Sequence, residues 1–407
     1  MANLTGRLVR WSAFAVTGAA WFVACSGAEQ HRKELDGDAG AAGQQASGGV
    51  GAATSAPNGG QAAAAASDPG AAGLGEAGGA ANNGTVGEGG TLGEGVGGGE
   101  GVGEGGAAPT PELCDAVVFT DTHLESIMRG ATGVQTGPIP PAKAAAITFA
   151  FTSSLLVSNL DGMECFTGLT RFEAASNKIT DVSPLAGLKR LTYLTLSGNK
   201  LTDISPLAGL TKLQTLTLGS NQLSDISALA ELKQLTELTV GSNPLLTNID
   251  VIADKTSLQV LQLDQDAAIT NLQPLANLKA LTKLTMRGVT LGDTALLADK
   301  VKLTYLDASL TGITTTSFLT NLTAMQTLVL SNNQVADISV LATLDKLNHV
   351  DLDSTLVTDI SPLAANLGLG QGDTVFVQQM SFADCTAHLA AAQALVDRGV
   401  TLLAQCP

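Results

Sequence analysis

The chain has 407 residues, including 46 glycines, and a formal net charge of −16 at pH 7. Such an acidic chain is poorly suited to binding nucleic acid, whose phosphates require lysine and arginine. Of the glycines, 26 fall in residues 37–106, a stretch with almost no large apolar side chains. A hydrophobic core can therefore form only in about residues 111–407, and with 3% aromatic residues it must be aliphatic.

The N-terminal segment has the pattern of a secretory signal peptide. Two arginines precede an apolar run over residues 11–24, which is long enough for a signal-peptide core and short for a membrane span. The run ends in Phe-Val-Ala-Cys at residues 22–25, which resembles the lipobox of bacterial lipoproteins. That resemblance implies removal of residues 1–24, lipid attachment to Cys25 and, from the serine that follows, an outer-membrane destination. The alternative is an ordinary signal peptide, cut for example after Ala28.

Residues 25–110 are predicted to be a disordered tether rich in glycine and alanine. Such chains behave as random coils, so about 75 residues have an end-to-end distance near 50 Å. One interpretation is a stalk that holds a folded domain away from a membrane. The other is a low-complexity segment whose length has no function.

An apolar repeat with a step of 22 or 23 residues occupies residues 147–368. The alternation of Leu194 and Leu196 predicts a short strand with one buried face. Ile204, Leu207 and Leu210 recur every three residues, which predicts a 3₁₀ turn. Strand and turn together form one coil of a solenoid, whose neighbours must stack to complete the core.

The repeat also contains an asparagine just beyond each strand in its clearest units. Asn199 and Asn221 are predicted to bond free backbone groups of adjacent turns and so to form a ladder along the stack. Val289 and Thr311 replace this asparagine. The solenoid is therefore predicted to be loosest near residues 287–318.

The return segments carry Asp-Ile-Ser-Pro-Leu at residues 203–207 and 359–363, with close variants at 181–185 and 337–339. With the 22-residue period, this resembles the leucine-rich repeats of the internalin family over about residues 117–365. The resemblance implies an α/β solenoid, a right-handed leucine-rich-repeat horseshoe. Its parallel strands would line the concave face and its 3₁₀ or irregular returns the convex face. From the residues that flank the repeats, we expect a helical N-terminal cap and a disulfide-containing C-terminal cap.

Caps are predicted at both ends of the repeats, over residues 111–146 and 369–407. A capping box at residues 122–125 predicts one helix, and a second is expected around residues 141–146. At the other end, Asp384 is expected to cap a helix reaching about Asp397, with Gly399 ending it. A strand is predicted over residues 400–403.

The cysteines are concentrated at the ends of the chain. Cys25 belongs to the leader, and the other four form one pair at each end of the folded region. This usage fits an oxidising compartment better than a metal site, which favours Cys-x-x-Cys spacing. We expect disulfides Cys114–Cys165 and Cys385–Cys406, the alternative being four free buried thiols.

No catalytic, cofactor or metal site is expected. The four histidines, 31, 123, 349 and 388, lack the i, i+4 partner of a zinc helix, and no nucleophile elbow or phosphate loop occurs. His349, Asp351 and Asp353 are expected on the solvent side of one strand. A ligand site there is one interpretation, and a solvated strand face is the favoured one.

Outward-facing strand residues are the candidates for binding. Ten strands about 4.8 Å apart give a face roughly 45 Å long, enough for a standard interface of about 800 Å² per partner. Either this face makes a specific contact, polar or carbohydrate-like in character, or the partner is contacted elsewhere. The candidates are Arg171, Glu173, Tyr193, Glu237, Asp264, Lys283, Arg287, Tyr305, Asp307, His349, Asp351 and Asp353.

The sequence therefore predicts a non-enzymatic, extracytoplasmic protein-binding scaffold, lipid-anchored at the outer membrane or cell surface after export across the inner membrane. Its partner would be a protein or a surface polysaccharide, not nucleic acid, and the chain is expected to be monomeric. The alternative is a structural envelope protein that binds wall polysaccharide or self-associates. A recognition subunit of an enzyme is a third interpretation.

Overall fold

The computed structural model describes Cys114, residues 117–379 and residues 385–404. These contain helices α1 (Thr122–Thr132), α2 (Pro141–Ala145), α3 (Ser361–Ala365) and α4 (Cys385–Asp397). The strands are β1 (Phe149–Phe151), β2 (Arg171–Glu173), β3 (Tyr193–Thr195), β4 (Thr215–Thr217), β5 (Glu237–Thr239), β6 (Val260–Gln262), β7 (Lys283–Thr285), β8 (Tyr305–Asp307), β9 (Thr327–Val329), β10 (His349–Asp351), β11 (Thr374–Val377) and β12 (Thr401–Ala404).

These strands form one parallel sheet in which each strand pairs with its neighbours in sequence order. The register repeats from strand to strand, so that Leu194 lies beside Leu216 and Leu216 beside Leu238. We number the coils 1 to 10 after β1 to β10. The constant step in sequence thus becomes a constant position in the solenoid, as the repeat predicts.

A single aliphatic core runs inside the stacked coils. In coil 3, Leu194, Leu196, Ile204, Leu207 and Leu210 are all at most 1% exposed. The predicted 3₁₀ returns are confirmed in coils 1 to 9, and coil 10 returns through α3 instead. They are Met163–Cys165, Ser183–Leu185, Ser205–Gly209, Ser227–Leu229, Asp250–Ile252, Gln273–Asn277, Thr294–Leu297, Ser317–Asn321 and Ser339–Thr343.

The predicted asparagine ladder is confirmed. The side-chain amide of Asn199 donates to the carbonyls of Ala174 and Leu196, at 2.9 and 2.8 Å. Its Oδ1 accepts a hydrogen bond from the backbone N–H of Ile179 at 3.0 Å. Each asparagine therefore satisfies backbone groups of its own coil and of the coil before it. The ladder consists of Asn177, Asn199, Asn221, Asn243 and Asn333.

The ladder is interrupted in coils 6 to 8, where Asp266, Val289 and Thr311 occupy the asparagine position. Thr311 keeps part of the pattern, because its hydroxyl donates to the carbonyl of Ala308 at 2.6 Å. All three side chains are buried, so the core continues through these coils. That residues 287–318 are the loosest part of the solenoid remains a prediction.

The N-terminal cap begins one residue earlier than the predicted capping box. Asp121, not Thr122, caps α1, accepting hydrogen bonds from the backbone N–H groups of His123 and Leu124 at 2.9 and 3.0 Å. Glu125 pairs with Arg129 one turn on, at 2.8 Å. The carboxylate of Asp121 reaches two orphan N–H groups of the first turn, which is why it displaces the threonine as cap.

The cap is tied to coil 1 by further contacts. Asp121 Oδ2 also accepts hydrogen bonds from the backbone N–H and the hydroxyl of Ser158, at 2.7 and 2.9 Å. A disulfide joins Cys114 to Cys165, whose Cα atoms are 5.5 Å apart. The expected second helix is present as α2.

The C-terminal cap contains one strand that the sequence did not predict. Strand β11 follows β10 after 25 residues, with Thr374 opposite His349, and the longer step hides it from the 22-residue pattern. Helix α4 and β12 match the predicted helix and strand, and Gly399 lies between them with φ of +88°.

Several predictions concern residues outside the described part of the chain. These are the signal peptide, Cys25, the tether, the capping role of Asp384, and the disulfide between Cys385 and Cys406. In the described part, no helix is long and apolar enough to cross a membrane.

Candidate binding face

The concave face is the side of the sheet that points away from the core. Side chains reach it from the first and third residue of each strand, because alternate residues point to opposite sides. The equal register aligns these residues in two columns across the coils, for example Arg171 beside Tyr193 and Glu173 beside Thr195. All twelve candidates lie in these columns or, for Asp264, Arg287 and Asp353, two residues beyond them.

An aromatic and charged group occupies the N-terminal end of this face. We call Phe149, Phe151, Arg171, Glu173 and Tyr193 the aromatic–arginine cluster. The guanidinium carbon of Arg171 lies 3.6 Å from the ring centroid of Tyr193 and 6.0 Å from that of Phe149. Its Nε donates to Glu173 at 2.6 Å, and this bond raises the pKa of the guanidinium. Cation–π stacking and the ion pair hold the arginine side chain in one orientation.

The two phenylalanines of the cluster were not among the binding residues predicted from the sequence. Phe149 is 49% exposed and Phe151 is 50% exposed, whereas Ala150 between them is buried. Because phenylalanine usually belongs to the core, only the alternation around Ala150 could have indicated their outward direction. They add two aromatic anchors to a face that otherwise has few.

Small polar residues cover the middle of the face. Thr195, Thr215, Thr217 and Thr239 are partly exposed on β3 to β5. The hydroxyl of Thr215 donates weakly to Glu237, at 3.4 Å. This region offers hydroxyl groups with little charge or apolar surface, so it adds complementarity more than affinity.

A second cation–π pair lies on β7 and β8, where Lys283 Nζ is 5.0 Å from the ring centroid of Tyr305. Both tyrosines of the chain therefore lie on the concave face beside a cation. Nearby, Asp264 accepts hydrogen bonds from the hydroxyl of Thr285 at 2.5 Å and from the backbone N–H of Arg287 at 2.9 Å. Burial nevertheless raises the pKa of Asp264.

The favoured interpretation of His349, Asp351 and Asp353 as a solvated strand face is wrong. His349 is 8% exposed, Asp351 is 4% exposed, and Asp353 is half-buried. The unpredicted β11 is the cause, because it places Thr374 and Phe376 beside them. Thr374 lies 2.6 Å from His349 Nδ1, and the rings of His349 and Phe376 are 5.4 Å apart.

Neighbouring groups also cover Asp307, which is 7% exposed. It accepts hydrogen bonds from the hydroxyl and the backbone N–H of Ser309, at 2.6 and 3.0 Å. Across residues 117–379 and 388–404, no three histidine, cysteine or acidic side chains are placed to share a metal ion. Within that part, the exposed aromatic and charged side chains of the concave face are concentrated in its first eight coils.

Three segments of the chain, residues 167–209, 211–254 and 323–365, match the family model described as "Leucine Rich repeats (2 copies)". An internalin (inlF) from Listeria monocytogenes is 26% identical with a TM-score of 0.64, over 70% of this chain and 90% of that one. The functional domain of InlJ, from the same organism, is 26% identical with a TM-score of 0.60. That alignment covers 70% of this chain and 60% of that one.

A plant receptor ectodomain shows how widely the fold is shared. The leucine-rich-repeat ectodomain of GASSHO1/SCHENGEN3 from Arabidopsis thaliana is 18% identical with a TM-score of 0.50. That alignment covers 65% of this chain and 37% of that one, and it shows the fold alone. No curated protein matches the sequence.

Fold, register and family model together define a leucine-rich-repeat protein. Within that class the chain is internalin-like, because both Listeria internalins share its solenoid at 26% identity. The resemblance drawn from the Asp-Ile-Ser-Pro-Leu returns is confirmed.

Proposed function

We propose that this chain is a non-enzymatic scaffold that binds another protein through its concave face, with the aromatic–arginine cluster as the anchor. The observation that carries the proposal is the exposure of Phe149 and Phe151 on a solvent-facing sheet, beside an arginine held by stacking. Protein interfaces concentrate their binding energy in aromatic residues and arginine. Burying the two exposed rings in a partner would remove apolar surface from water without any rearrangement of the solenoid.

The other candidates play lesser roles in this proposal. Lys283, Arg287 and Tyr305 form a second contact region, five strands from the cluster and therefore about 24 Å away. Glu237 and Asp264 lie between the two regions. His349, Asp351, Asp353 and Asp307 contribute mainly to the packing of the face rather than to the contact, because their side chains are largely covered.

Binding is tested with the mature chain and a protein fraction from the cell envelope of its source, captured by cross-linking. The double variant Phe149→Ser/Phe151→Ser removes the two exposed rings. We expect at least a tenfold loss of cross-linked partner, which corresponds to about 1.4 kcal/mol.

The matched control is Leu245→Ser/Val301→Ser. It removes two apolar side chains that are 61% and 51% exposed and lie outside the concave columns. The control should bind as the wild type does. Equal binding by all three proteins would contradict use of the concave face.

The proposal extends to the location of the protein. Residues 1–24 would direct export across the inner membrane, Cys25 would carry the lipid, and residues 25–110 would tether the folded domain. The folded domain comprises a cap over residues 111–146, repeats over 147–368 and a second cap over 369–407. Support comes from the lipobox-like sequence at residues 22–25 and the serine after it.

Anchoring is tested by the variant Cys25→Ser, produced in a bacterial host with radiolabelled palmitate. The wild type should incorporate the label and sediment with the outer membrane. The variant should do neither. If the wild type remained unlabelled and soluble after export, ordinary cleavage near Ala28 would replace the lipidation proposal.

A structural role in the envelope is the second candidate, favoured by the row of partly exposed threonines on β3 to β5. Co-sedimentation of the mature chain with purified peptidoglycan would support it if Thr195→Val/Thr217→Val weakened binding and Phe149→Ser/Phe151→Ser did not.

Analytical ultracentrifugation tests the expected monomer. A concentration-dependent dimer would favour self-association.

A further inference from the structure

Coil 6 carries a carboxylic acid at the position where coils 2 to 5 carry the asparagine of the ladder. Asp266 follows Asn243 by 23 residues, and it has no exposed surface. Its Oδ1 accepts a hydrogen bond from the backbone N–H of Asn243 at 2.6 Å. Its Oδ2 is buried and has no hydrogen-bond partner among the described residues.

The hydrogen bonds of the other ladder residues show why Oδ2 of Asp266 has no partner. In coil 5, the side-chain amide of Asn243 donates to the carbonyls of Val240 and Leu218, at 2.6 and 3.1 Å. An ionised Asp266 offers only acceptors, so it cannot donate to the corresponding carbonyls. A protonated Asp266 has one O–H donor and resembles asparagine in shape and bonding.

No cation among the described residues acts directly on Asp266. The charged group that acts on it is Asp264, a carboxylate of the same coil. Arg287 of coil 7 and Asp307 of coil 8 act on Asp264 instead. At the equivalent ladder position, the coils on either side present uncharged groups, Asn243 and Val289.

We propose that Asp266 is a proton-sensitive member of the ladder. When protonated, it stabilises the packing of coil 6 against coil 5, and when ionised, it weakens this packing. The proton comes from solvent. In the protonated acid, Oδ2 carries an O–H group that is available to a backbone carbonyl, as the asparagine amide is elsewhere. In the ionised form, a charged oxygen is held away from water without a partner, which favours local opening of the coil.

The direction of the pH dependence follows from the environment of the carboxyl group. Burial raises the pKa of Asp266 to about 7 from the usual 3.8, the hydrogen bond from Asn243 lowers it, and the charge of Asp264 raises it. Because the folded-state pKa is the higher one, the stabilisation is complete below pH 3.8. It is lost as the pH rises through about 7.

The test is hydrogen–deuterium exchange of the full mature chain at pH 5 and pH 8, corrected for intrinsic exchange rates. Peptides covering residues 240–269 report on the contact between coils 5 and 6. Between these pH values we expect the opening constant of the wild type to rise on the order of 100-fold. Asp266→Asn restores the asparagine of the other coils, and its opening constant should change by less than about threefold between the same pH values.

A matched variant tests whether the same pH dependence can be created in another coil. Asn221→Asp places the same acid in the intact ladder of coil 4, and it should make peptides covering residues 218–226 open more at pH 8 than at pH 5. An unfolded Asn221→Asp at pH 8 that refolds at pH 5 supports the proposal equally. The proposal is overturned if the wild type and Asp266→Asn respond alike, or if carbon-13 titration places the pKa of Asp266 below 5.

Discussion

The ammonium of Lys255 lies 2.8 Å from a carboxylate oxygen of Asp254, and none of the lysine side chain is exposed. Its Nζ also donates to the carbonyl of Ala230 at 3.1 Å. Leucines occupy the equivalent position before most other strands, including Leu232 and Leu278. A charged side chain thus replaces a core leucine, and the acid that pairs with it, Asp254, is 50% exposed.

Removing the carboxylate of Asp254 should lower the stability of the fold. In Asp254→Asn, the ammonium of Lys255 keeps the carbonyl of Ala230 but loses its counter-charge. We expect the free energy of unfolding to fall by about 1 kcal/mol, a modest value because Asp254 is 50% exposed and solvent screens the pair. Lys255→Leu should be neutral or stabilising, because well-packed apolar residues often replace buried ion pairs without loss. Urea denaturation measures both.

The matched control for this prediction is Lys279→Leu. Lys279 forms a similar pair with Asp299 at 3.1 Å, but its side chain is 69% exposed. Its replacement should change the free energy of unfolding by less than about 0.5 kcal/mol. A loss above about 2 kcal/mol in Lys255→Leu would show instead that the buried pair is a net stabiliser.

The asparagine ladder should be a major source of stability. Asn221→Ala leaves the carbonyls of Leu196 and Leu218 and the N–H of Leu201 without the side-chain partner they have now. Because these groups are buried, we expect the free energy of unfolding to fall by about 3 kcal/mol or more. The adjacent exposed Gln222→Ala is the control, and it should have little effect. Similar unfolding midpoints for both variants would mean that the ladder stabilises little.

The repeat itself was predictable because each coil is specified locally. Leu194 and Leu216 occupy equal positions in sequence, and the same backbone path then places them side by side in the sheet. The asparagine ladder follows for the same reason, since Asn199 and Asn221 share that register. Local periodicity is therefore sufficient for the core and the ladder.

Features that depend on distant or competing groups were not predictable. The burial of His349 and Asp351 comes from β11, whose 25-residue spacing departs from the repeat. At the N-terminal cap, Asp121 and Thr122 are both favourable helix caps, so composition could not rank them. Phe149 and Phe151 take the outward positions beside Arg171 and Glu173, but phenylalanine usually belongs to the core, so the residue type argued against the position.

A strained leucine offers a route to greater stability. Leu310 has φ of +58° and is 51% exposed, although left-handed backbone disfavours leucine. Gly288 and Asn332 occupy the equivalent positions of the neighbouring coils, with φ of +76° and +58°. Leu310→Asn should therefore raise the free energy of unfolding by about 0.5–1 kcal/mol. Leu356→Asn is the control, because Leu356 is 53% exposed without a positive φ.

A gain in Leu310→Asn that the control does not share would locate the effect in the backbone. Calorimetry of the mature chain gives the midpoint for each variant. If both variants gained equally, removal of exposed apolar surface would be the cause and the strain interpretation would be wrong.

The N-terminal cap should weaken in acid through Asp121. Burial raises the pKa of this carboxyl, but hydrogen bonds from Ser158, Leu124 and His123 outweigh burial and leave the pKa below its usual value of 3.8. Because the folded-state pKa is the lower one, the carboxylate stabilises the fold above the unfolded-state pKa. This contribution is lost as the pH falls through the folded-state value.

Asp121→Asn isolates that contribution, since asparagine can still cap α1 but carries no charge. At pH 7 we expect the variant to be less stable than the wild type by about 1 kcal/mol, because charge-assisted hydrogen bonds from two segments become neutral ones. The difference should begin to shrink as the pH falls below 3.8, and it should disappear only below the lower folded-state pKa, where the wild-type carboxyl is protonated as well. Thermal unfolding at pH 7 and pH 3 measures it, with the exposed Asp345→Asn as control. A deficit of equal size at both pH values would mean that shape and not charge determines the strength of the cap.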